Sequence, residues 1–213
     1  MNVRDIMTTN VVTIPSSTSI ADAKRIMEAH RFRRLPVVDK GKLVGIVTEH
    51  RLESVSPSKA TSLSVWELSY LLDRTTVKEI MEKKVVTASP DMSAEESVAL
   101  AQRQKVGALV VVEDGEVVGI VTTNDLFYKI VNPILGLGQP GARIEIAGGG
   151  ETKALEEIIS TINKFGLGIT TVHIEQLPEA PKKDICIHVD SENVSKLVSA
   201  LKNKGYKVSV RRR

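Results

Sequence analysis

The chain has 213 residues, of which 42% are hydrophobic and 26% are charged, and its formal net charge is +3. This composition is that of a globular protein, and no apolar run approaches the roughly 20 residues that a membrane-spanning helix needs. One cysteine excludes an internal disulfide, and one tryptophan, three tyrosines and three phenylalanines do not favour a stacking platform for nucleic acids. Polar residues follow Met1 and show no signal peptide, so we expect a cytoplasmic protein that makes no membrane contact.

The chain opens with a duplication. Residues 3–52 recur at residues 77–126 with a constant offset of 74 and no gap. For example, Gly41–Thr48 reads GKLVGIVT, and Gly115–Thr122 reads GEVVGIVT. Such a repeat usually builds one body with approximate two-fold symmetry, in which the two halves enclose equivalent clefts. We therefore expect ligand binding between the repeats, and we expect the clefts to differ where the copies differ.

Each repeat is predicted to fold as strand, helix, strand, strand, helix. Val11–Ile14 is a β-branched run before a proline, which is typical of a short strand. Ser19 followed by Asp22 is typical of a helix capping box, and Ser93 followed by Glu96 repeats it. The apolar residues after each box recur at helical spacing, so a helix should follow.

A hairpin is predicted after this helix. Leu35–Val38 and Leu43–Val47 are apolar runs on either side of a turn that contains Gly41, and repeat two has a glycine at the equivalent position. Glycine suits a tight turn that needs a positive φ. Between the repeats, Ser54–Ser62 is polar and typical of a loop, whereas Leu63–Arg74 has the periodicity of an amphipathic helix.

A glycine-rich segment, Gly136–Gly141, follows repeat two and matches the letter pattern of a dinucleotide-binding loop. That loop needs a strand before it and a helix after it, whereas a helical pattern precedes this segment and a strand pattern follows it. We interpret it as a linker.

Residues 142–213 then show the order strand, helix, strand, strand, helix, strand, which is ferredoxin-like. The predicted domains are repeat one (1–60), a connector helix (61–76), repeat two (77–132), a linker (133–141) and a third domain (142–213), in an α+β fold.

The repeated pattern resembles a known family. The pattern consists of Leu-Pro-Val-Val, then Gly-Ile-Val-Thr, then two residues and an acidic position. This order is similar to that of the cystathionine β-synthase (CBS) domain, of which two in tandem form a Bateman module. The βαββαβ unit resembles an ACT domain. The combination, including the connector at 56–68, is similar to the AcuB-type regulatory proteins of acetoin utilisation. The resemblance implies a CBS pair followed by an ACT-type domain.

CBS pairs typically bind adenosine compounds such as AMP, ADP, ATP or S-adenosylmethionine in the cleft between the repeats. The resemblance implies that Asp125 holds the ribose hydroxyls, and a carboxylate suits this role because it accepts both hydrogen bonds. The implied site consists of Asn10 and Val11 near the base, Arg33, Arg34 and His50 near the phosphates, and Ile120, Thr122 and Asn124 beside Asp125.

Repeat one departs from this pattern, because Arg51 stands where the ribose aspartate belongs. Arginine only donates hydrogen bonds, so we expect one competent site per chain and an Arg51 cleft that is empty, weak or used for a bare anion. Structural alternatives stay open at this point. Asp125 could be a helix cap, Arg33 and Arg34 could be solvent-facing cations after a helix, and His50 could be a surface residue.

The third domain is less suited to ligand binding. ACT domains that bind an amino acid use an Asp-x-Pro-Gly-x-Leu turn, whereas Gly148–Leu155 lacks the acid and the proline. We predict that this domain pairs chains instead. Histidine and cysteine show no metal-ligand spacing, and no catalytic motif is recognisable, so we predict no metal site, no catalytic cofactor and no enzymatic activity.

Two functions follow from this reasoning. The leading prediction is a homodimeric adenine-nucleotide sensor that signals by conformational change to an unknown regulated protein, with a role in acetoin or carbon metabolism implied by the resemblance. The alternative is a ligand-independent homodimeric scaffold for a partner enzyme. Nucleic-acid binding through Arg211–Arg213 is not favoured, because a solvated terminus is the commoner explanation of such a run.

Overall fold

The computed structural model describes residues 1–55, 65–176, 178 and 181–212. The chain divides into two compact units, Met1–Leu126 and Phe127–Arg213. Helices and strands occur in both units, so the predicted α+β class is confirmed. Within the described ranges, no helix combines the length and the apolar character that crossing a bilayer requires.

The first unit contains the two repeats, and their elements correspond. Repeat one consists of α1 (Val3–Ile6), α2 (Ile20–His30), β1 (Arg34–Asp39), β2 (Lys42–Thr48) and α3 (Glu49–Val55), and α4 (Val65–Arg74) follows it. Repeat two consists of α5 (Val77–Ile80), β3 (Thr87–Ala88), α6 (Ala94–Gln104), β4 (Ala108–Glu113), β5 (Glu116–Thr122) and α7 (Thr123–Leu126). Both predicted hairpins, β1–β2 and β4–β5, are antiparallel and have a register shift at the equivalent place.

The predicted caps and turns are confirmed. The Ser19 hydroxyl accepts a hydrogen bond from Asp22 N at 3.1 Å, and Ser93 accepts the equivalent bond at the start of α6. Lys40 and Gly41 have φ values of 51° and 79°. Two left-handed residues in a row are typical of a type I′ turn, which suits the twist of a two-residue hairpin.

The predicted strand Val11–Ile14 is wrong. Only Ile14 pairs with the sheet of repeat one, through a parallel bridge to Val37. The residues before it run to the other repeat, where Thr8 forms a bridge with Ile120. Ile14 is therefore the one residue of the predicted strand that pairs with β1, and a single pair does not make a strand.

The segment between the repeats is helical where the structure describes it. α3 continues through Val55, so the predicted loop Ser54–Ser62 begins inside a helix, and the rest of that loop lies outside the described residues. α4 confirms the predicted helix from Val65 to Arg74. Leu63 and Ser64, which the prediction included, lie outside the described residues.

The chain that follows the first helix of each repeat pairs with the other repeat. Thr8 N donates to Ile120 O at 2.9 Å, and Ile120 N donates to Thr8 O at 3.0 Å. Glu82 and Ile46 exchange the equivalent two bonds, each at 2.9 Å. The offset of 74 relates these two pairs, so the repeats interlock symmetrically. Each cleft between the repeats therefore receives residues from both.

The second unit has the predicted βαββαβ order. A π-helix (Phe127–Val131) and α8 (Asn132–Ile134) come first, followed by β6 (Ala142–Ala147), α9 (Thr152–Lys164), β7 (Ile169–Glu175), β8 (Asp184–Val189), α10 (Ser195–Asn203) and β9 (Lys207–Arg212). The sheet order is β7-β8-β6-β9 with antiparallel neighbours, which is the split βαβ arrangement. Buried isoleucines, leucines and valines from β6, β8, α9 and α10 form its core. A strand, β6, follows Gly136–Gly141, and these residues belong to the second compact unit, so their interpretation as a linker stays a prediction.

The interlocking of the repeats generates a stability prediction. A Cβ added at Gly119 would lie 2.5 Å from Met7 Sδ and 3.3 Å from Met7 Cβ, so Gly119→Ala should push Met7 away and weaken the pairing of Thr8 with Ile120. We expect a loss of about 1–3 kcal/mol in the free energy of unfolding, the usual cost of overpacking. Urea denaturation measures this loss.

The control is a double-mutant cycle with Met7→Ala. Removing the methionine side chain removes the clash, so the double variant should be less destabilised than the sum of the two single variants. Additive losses would contradict the proposed contact.

Candidate functional site

A cleft with a volume of about 510 Å³ lies between the two repeats. This volume is typical of small-molecule sites. Its lining consists of Thr8, Asn10, Val11, Arg31, Phe32, Arg33, Arg34, Ile120, Thr122, Thr123, Asn124 and Asp125. The structure thus brings together eight of the nine predicted site residues, and His50 is the exception.

The carboxylate of Asp125 is held by both repeats. Within repeat two, Thr122 donates to Asp125 Oδ2 through its backbone N at 2.9 Å and through its hydroxyl at 2.6 Å. From repeat one, the Thr8 hydroxyl donates to Asp125 Oδ1 at 3.1 Å. These three donors orient the carboxylate, which is half-buried at the edge of the cleft.

Asp125 also caps a helix, as the structural alternative predicted. Asp125 N donates to the Thr122 hydroxyl at 3.4 Å, while the Asp125 carboxylate accepts from Thr122 N. This reciprocal exchange is a capping box at the start of α7. Capping and ligand contact are compatible, because a carboxylate has about four lone-pair sites.

The arginines near the end of α2 differ in their surroundings. Arg31 ends the helix in a left-handed conformation with φ of 55°, and both Arg31 and Arg33 are exposed. Arg33 Nε lies 3.8 Å from Glu49 Oε2, a weak surface pair. Arg34 is half-buried, and burial lowers the pKa of its guanidinium, as does the neighbouring charge of Arg33. Of the three, Arg34 least fits the alternative of a solvent-facing cation.

Part of the lining of the cleft is uncharged. The bridge between Thr8 and Ile120 brings the following residues of repeat one, Asn10 and Val11, beside β5 of repeat two. Phe32 also lines the cleft, and its ring stacks on His30 with centroids 5.3 Å apart. An aliphatic and aromatic surface beside an amide side chain suits a flat heteroaromatic group.

Four lining residues were not among the predicted site residues: Thr8, Arg31, Phe32 and Thr123. Thr123 directly precedes two predicted residues, so its position in sequence was a usable signal. Thr8 has no local signal, because only its pairing with Ile120 brings it to Asp125.

A second cleft, with a volume of about 460 Å³, is the symmetry counterpart of the first. It is lined by Ile46, Thr48, His50, Arg51 and Glu82. His50 therefore lies in this cleft and is not placed with the Asp125 residues. The offset of 74 makes His50 the counterpart of Asn124, and residues after β2 line one cleft while residues after β5 line the other. The repeat alignment alone could have revealed this assignment.

Arg51 of repeat one forms a hydrogen bond with the backbone of repeat two. Its Nε donates to the backbone oxygen of Ile80 at 3.1 Å, and its backbone N donates to the Thr48 hydroxyl at 3.2 Å. Glu82 occupies the position that corresponds to Thr8. The second cleft thus has a guanidinium in place of the carboxylate and a carboxylate in place of the hydroxyl, so its chemistry differs from that of the first.

The second unit has a cleft beside the predicted ACT turn, with a volume of about 460 Å³. Its carboxylate Glu157 accepts hydrogen bonds from Lys204 Nζ at 2.6 Å and from the Tyr206 hydroxyl at 2.7 Å, and these bonds lower the pKa of Glu157. A Cβ at Gly149 would lie 2.5 Å from Ile185 Cγ2, so packing explains this glycine. In the ranges that the structure describes, no cluster of histidine, cysteine or acidic residues is arranged to hold a metal ion.

Comparison with known proteins agrees with the interlocked repeats. A family profile described as "CBS domain" matches residues 3–56 and 77–132, which together make up more than half of the chain. The chain belongs to the CBS domain family. The predicted tandem CBS pair is confirmed, and the two clefts lie between its CBS domains.

Solved structures of other CBS pairs resemble this one. A putative acetoin utilization protein, AcuB from Vibrio cholerae, is 33% identical with a TM-score of 0.53, over 64% of this chain and 94% of that one. The CBS pair of protein MJ0100, in complex with 5′-methylthioadenosine and S-adenosyl-L-methionine, is 29% identical with a TM-score of 0.51, over 62% and 97% of the two chains. CBSX2 in complex with AMP is 27% identical with a TM-score of 0.51, over the same shares.

The family also occurs within longer proteins. An inosine-5′-monophosphate dehydrogenase from Korarchaeum cryptofilum is 33% identical over 133 residues, which are 62% of this chain and 25% of the relative. The match thus spans about a quarter of that relative's length.

Proposed function

We propose that this CBS protein is a regulator that binds an adenosine compound in the Asp125 cleft. The observation that carries the proposal is the joint construction of this cleft. Repeat two contributes an oriented carboxylate, and repeat one contributes a weakly polar segment and a group of arginines. The AMP complex of CBSX2 and the S-adenosyl-L-methionine complex of MJ0100 support this ligand class.

In the proposed complex, Asp125 accepts hydrogen bonds from two ribose hydroxyls. Asn10, Val11 and Ile120 lie against the base, and Thr122 and Asn124 lie beside the ribose. Arg33 and Arg34 face the phosphates. Because His50 lines the other cleft, it has no role in this complex.

Signalling would follow from the two-repeat construction. A ligand that contacts both repeats binds more tightly in the relative arrangement of the repeats that lets all contacts form, and it shifts the population toward that arrangement. The shift cannot exceed the difference in binding free energy between the two arrangements. The receiver would be an unidentified regulated protein, and the AcuB neighbour supports, without specifying, a role in acetoin or carbon metabolism.

The Arg51 cleft is proposed to reject ribose, because Arg51 offers donors where a diol needs acceptors. Any ligand there would be a small anion. The protein as a whole is proposed to act without catalysing a reaction, and a cytoplasmic location stays a prediction.

The βαββαβ unit is proposed to be an ACT-type domain that pairs two chains. β7 is an edge strand, and its Val172 and Ile174 are 43% and 45% exposed. They lie opposite Ile187 and Ile185, so they extend the apolar core face of the sheet to the edge. Edge-to-edge pairing with β7 of a second copy would satisfy the backbone and cover these side chains.

The same observation favours the alternative function, a ligand-independent homodimeric scaffold. An exposed apolar edge supports dimerisation whether or not the Asp125 cleft binds a ligand. The two functions differ in their response to adenosine compounds, and this response separates them.

Ligand-induced thermal stabilisation tests the sensor. At a ligand concentration about 100 times its dissociation constant, native-state binding adds about 2.7 kcal/mol of stability. We expect AMP, ADP, ATP or S-adenosylmethionine to raise the melting temperature of the wild-type protein. Asp125→Ala should abolish most of this increase, because the ribose contacts are lost.

The matched control is Arg51→Ala, which changes the equivalent residue of repeat one. It should keep the ligand-induced increase of the wild-type protein. Equal increases in the two variants would remove the assignment of the site to Asp125, and the absence of any increase with all four compounds would favour the scaffold.

Light scattering tests the proposed dimer. The double variant Val172→Lys, Ile174→Lys should halve the mass in solution, because two like charges per chain would face their copies across the pairing edge. Lys207→Glu on β9, the other edge strand, is the control and should leave the dimer intact. A dimer that survives the β7 changes, or that Lys207→Glu disrupts, would place the pairing elsewhere.

A further inference from the structure

Arg34 stands apart from the other cations of the cleft because it is half-buried without an acidic partner. In the described part of the chain, no carboxylate forms an ion pair with it, and burial together with the positive charge of Arg33 disfavours its charged form. A half-buried, unpaired guanidinium is costly unless something compensates it. A ligand anion is a natural compensating group.

Gly107 of repeat two determines where this guanidinium lies. A Cβ added at Gly107 would be 2.4 Å from Arg34 Nη2 and 3.3 Å from Arg34 Cζ, so the arginine lies directly against the glycine. The Gly107 carbonyl also accepts hydrogen bonds from Thr123 N at 3.2 Å and from the Thr123 hydroxyl at 3.3 Å. These bonds fix the Gly107 backbone beside the cleft-lining Thr123.

The repeat alignment explains why this space exists. Gly107 is the counterpart of Arg33, and Ala108 is the counterpart of Arg34. Repeat two therefore has small residues where repeat one has two arginines. The space that a side chain at Gly107 would fill is where the Arg34 guanidinium of repeat one packs.

The charges of the described lining residues are unequal. They include three arginines against one acidic residue, Asp125, whose carboxylate already accepts bonds from Thr8 and Thr122. An anionic ligand would relieve the repulsion between Arg33 and Arg34, whereas S-adenosylmethionine, whose sulfonium and ammonium outnumber its one carboxylate, would add net positive charge. The field inside the cleft thus discriminates between the two classes of adenosine compound.

We propose that the Asp125 cleft selects phosphorylated adenosine compounds over the sulfonium S-adenosylmethionine, with Arg34 as the phosphate contact and Gly107 as the residue that positions it. This inference rests on the proposed function and narrows its ligand class. It also assigns a role to Gly107, a residue without a functional group of its own.

Isothermal titration calorimetry with AMP, adenosine and S-adenosylmethionine tests the proposal. AMP should bind the wild-type protein more tightly than adenosine by about tenfold or more, the size expected for a charge-assisted hydrogen bond. S-Adenosylmethionine should bind more weakly than adenosine. The advantage of AMP should shrink at high salt, while the affinity for adenosine should not change.

Two variants locate the effect, and one serves as the control. Arg34→Gln removes the charge, and Gly107→Ala keeps it but displaces it, so each should reduce AMP affinity toward that of adenosine without changing adenosine affinity. The φ of Gly107 lies outside the left-handed region, so alanine fits its backbone. Arg25→Gln removes an exposed arginine that pairs with Asp22 within α2, and it should leave all three affinities unchanged.

The outcomes separate this inference from the proposed function. If S-adenosylmethionine or adenosine binds as tightly as AMP, the selectivity is wrong while the adenosine site stands. If Arg34→Gln or Gly107→Ala reduces AMP and adenosine affinity equally, the variant residue is structural and its proposed role is wrong. If none of the three compounds binds the wild-type protein, and ADP and ATP do not bind it either, the proposed function fails together with the inference.

Discussion

Four backbone hydrogen bonds between the repeats, two beside each cleft, are the constraint on which the clefts of the first unit depend. Thr8 and Ile120 exchange two of them, and Glu82 and Ile46 exchange the other two. With them, Thr8 reaches Asp125, and each cleft is built from two halves of the chain that are far apart in sequence. A ligand in such a cleft senses the relative position of both halves.

The duplication separates the residues that make the fold from those that make the site. The buried hairpin residues are similar in both repeats, as in Leu35 and Leu109 or Val47 and Val121. The lining residues differ at the charged positions, since Asp125 corresponds to Arg51 and Thr8 corresponds to Glu82. Apolar burial stabilises the body regardless of what lines the clefts. One cleft could therefore diverge in charge while the backbone around it kept its symmetry.

The second unit has an independent core, since its buried residues form a cluster of their own. Its helices cover one face of the sheet, but the apolar face continues to the edge strand β7, where Val172 and Ile174 are exposed. An apolar edge of this kind exposes unpaired backbone groups as well as side chains. In the proposed function, chain pairing and ligand binding fall on different units, so the residues that serve one do not restrict the residues that serve the other.

The sequence by itself determined the duplication, the capped helices, the glycine hairpins, the βαββαβ order and the contrast between Asp125 and Arg51. These depend on local periodicity, on backbone chemistry or on alignment of the chain with itself. Only the tertiary structure decided that Thr8 pairs with the other repeat, that its hydroxyl holds Asp125, and that Gly107 makes room for Arg34. The physical reason is that these three facts are contacts between residues distant in sequence, and a local pattern does not specify which distant residue comes within hydrogen-bonding or packing distance.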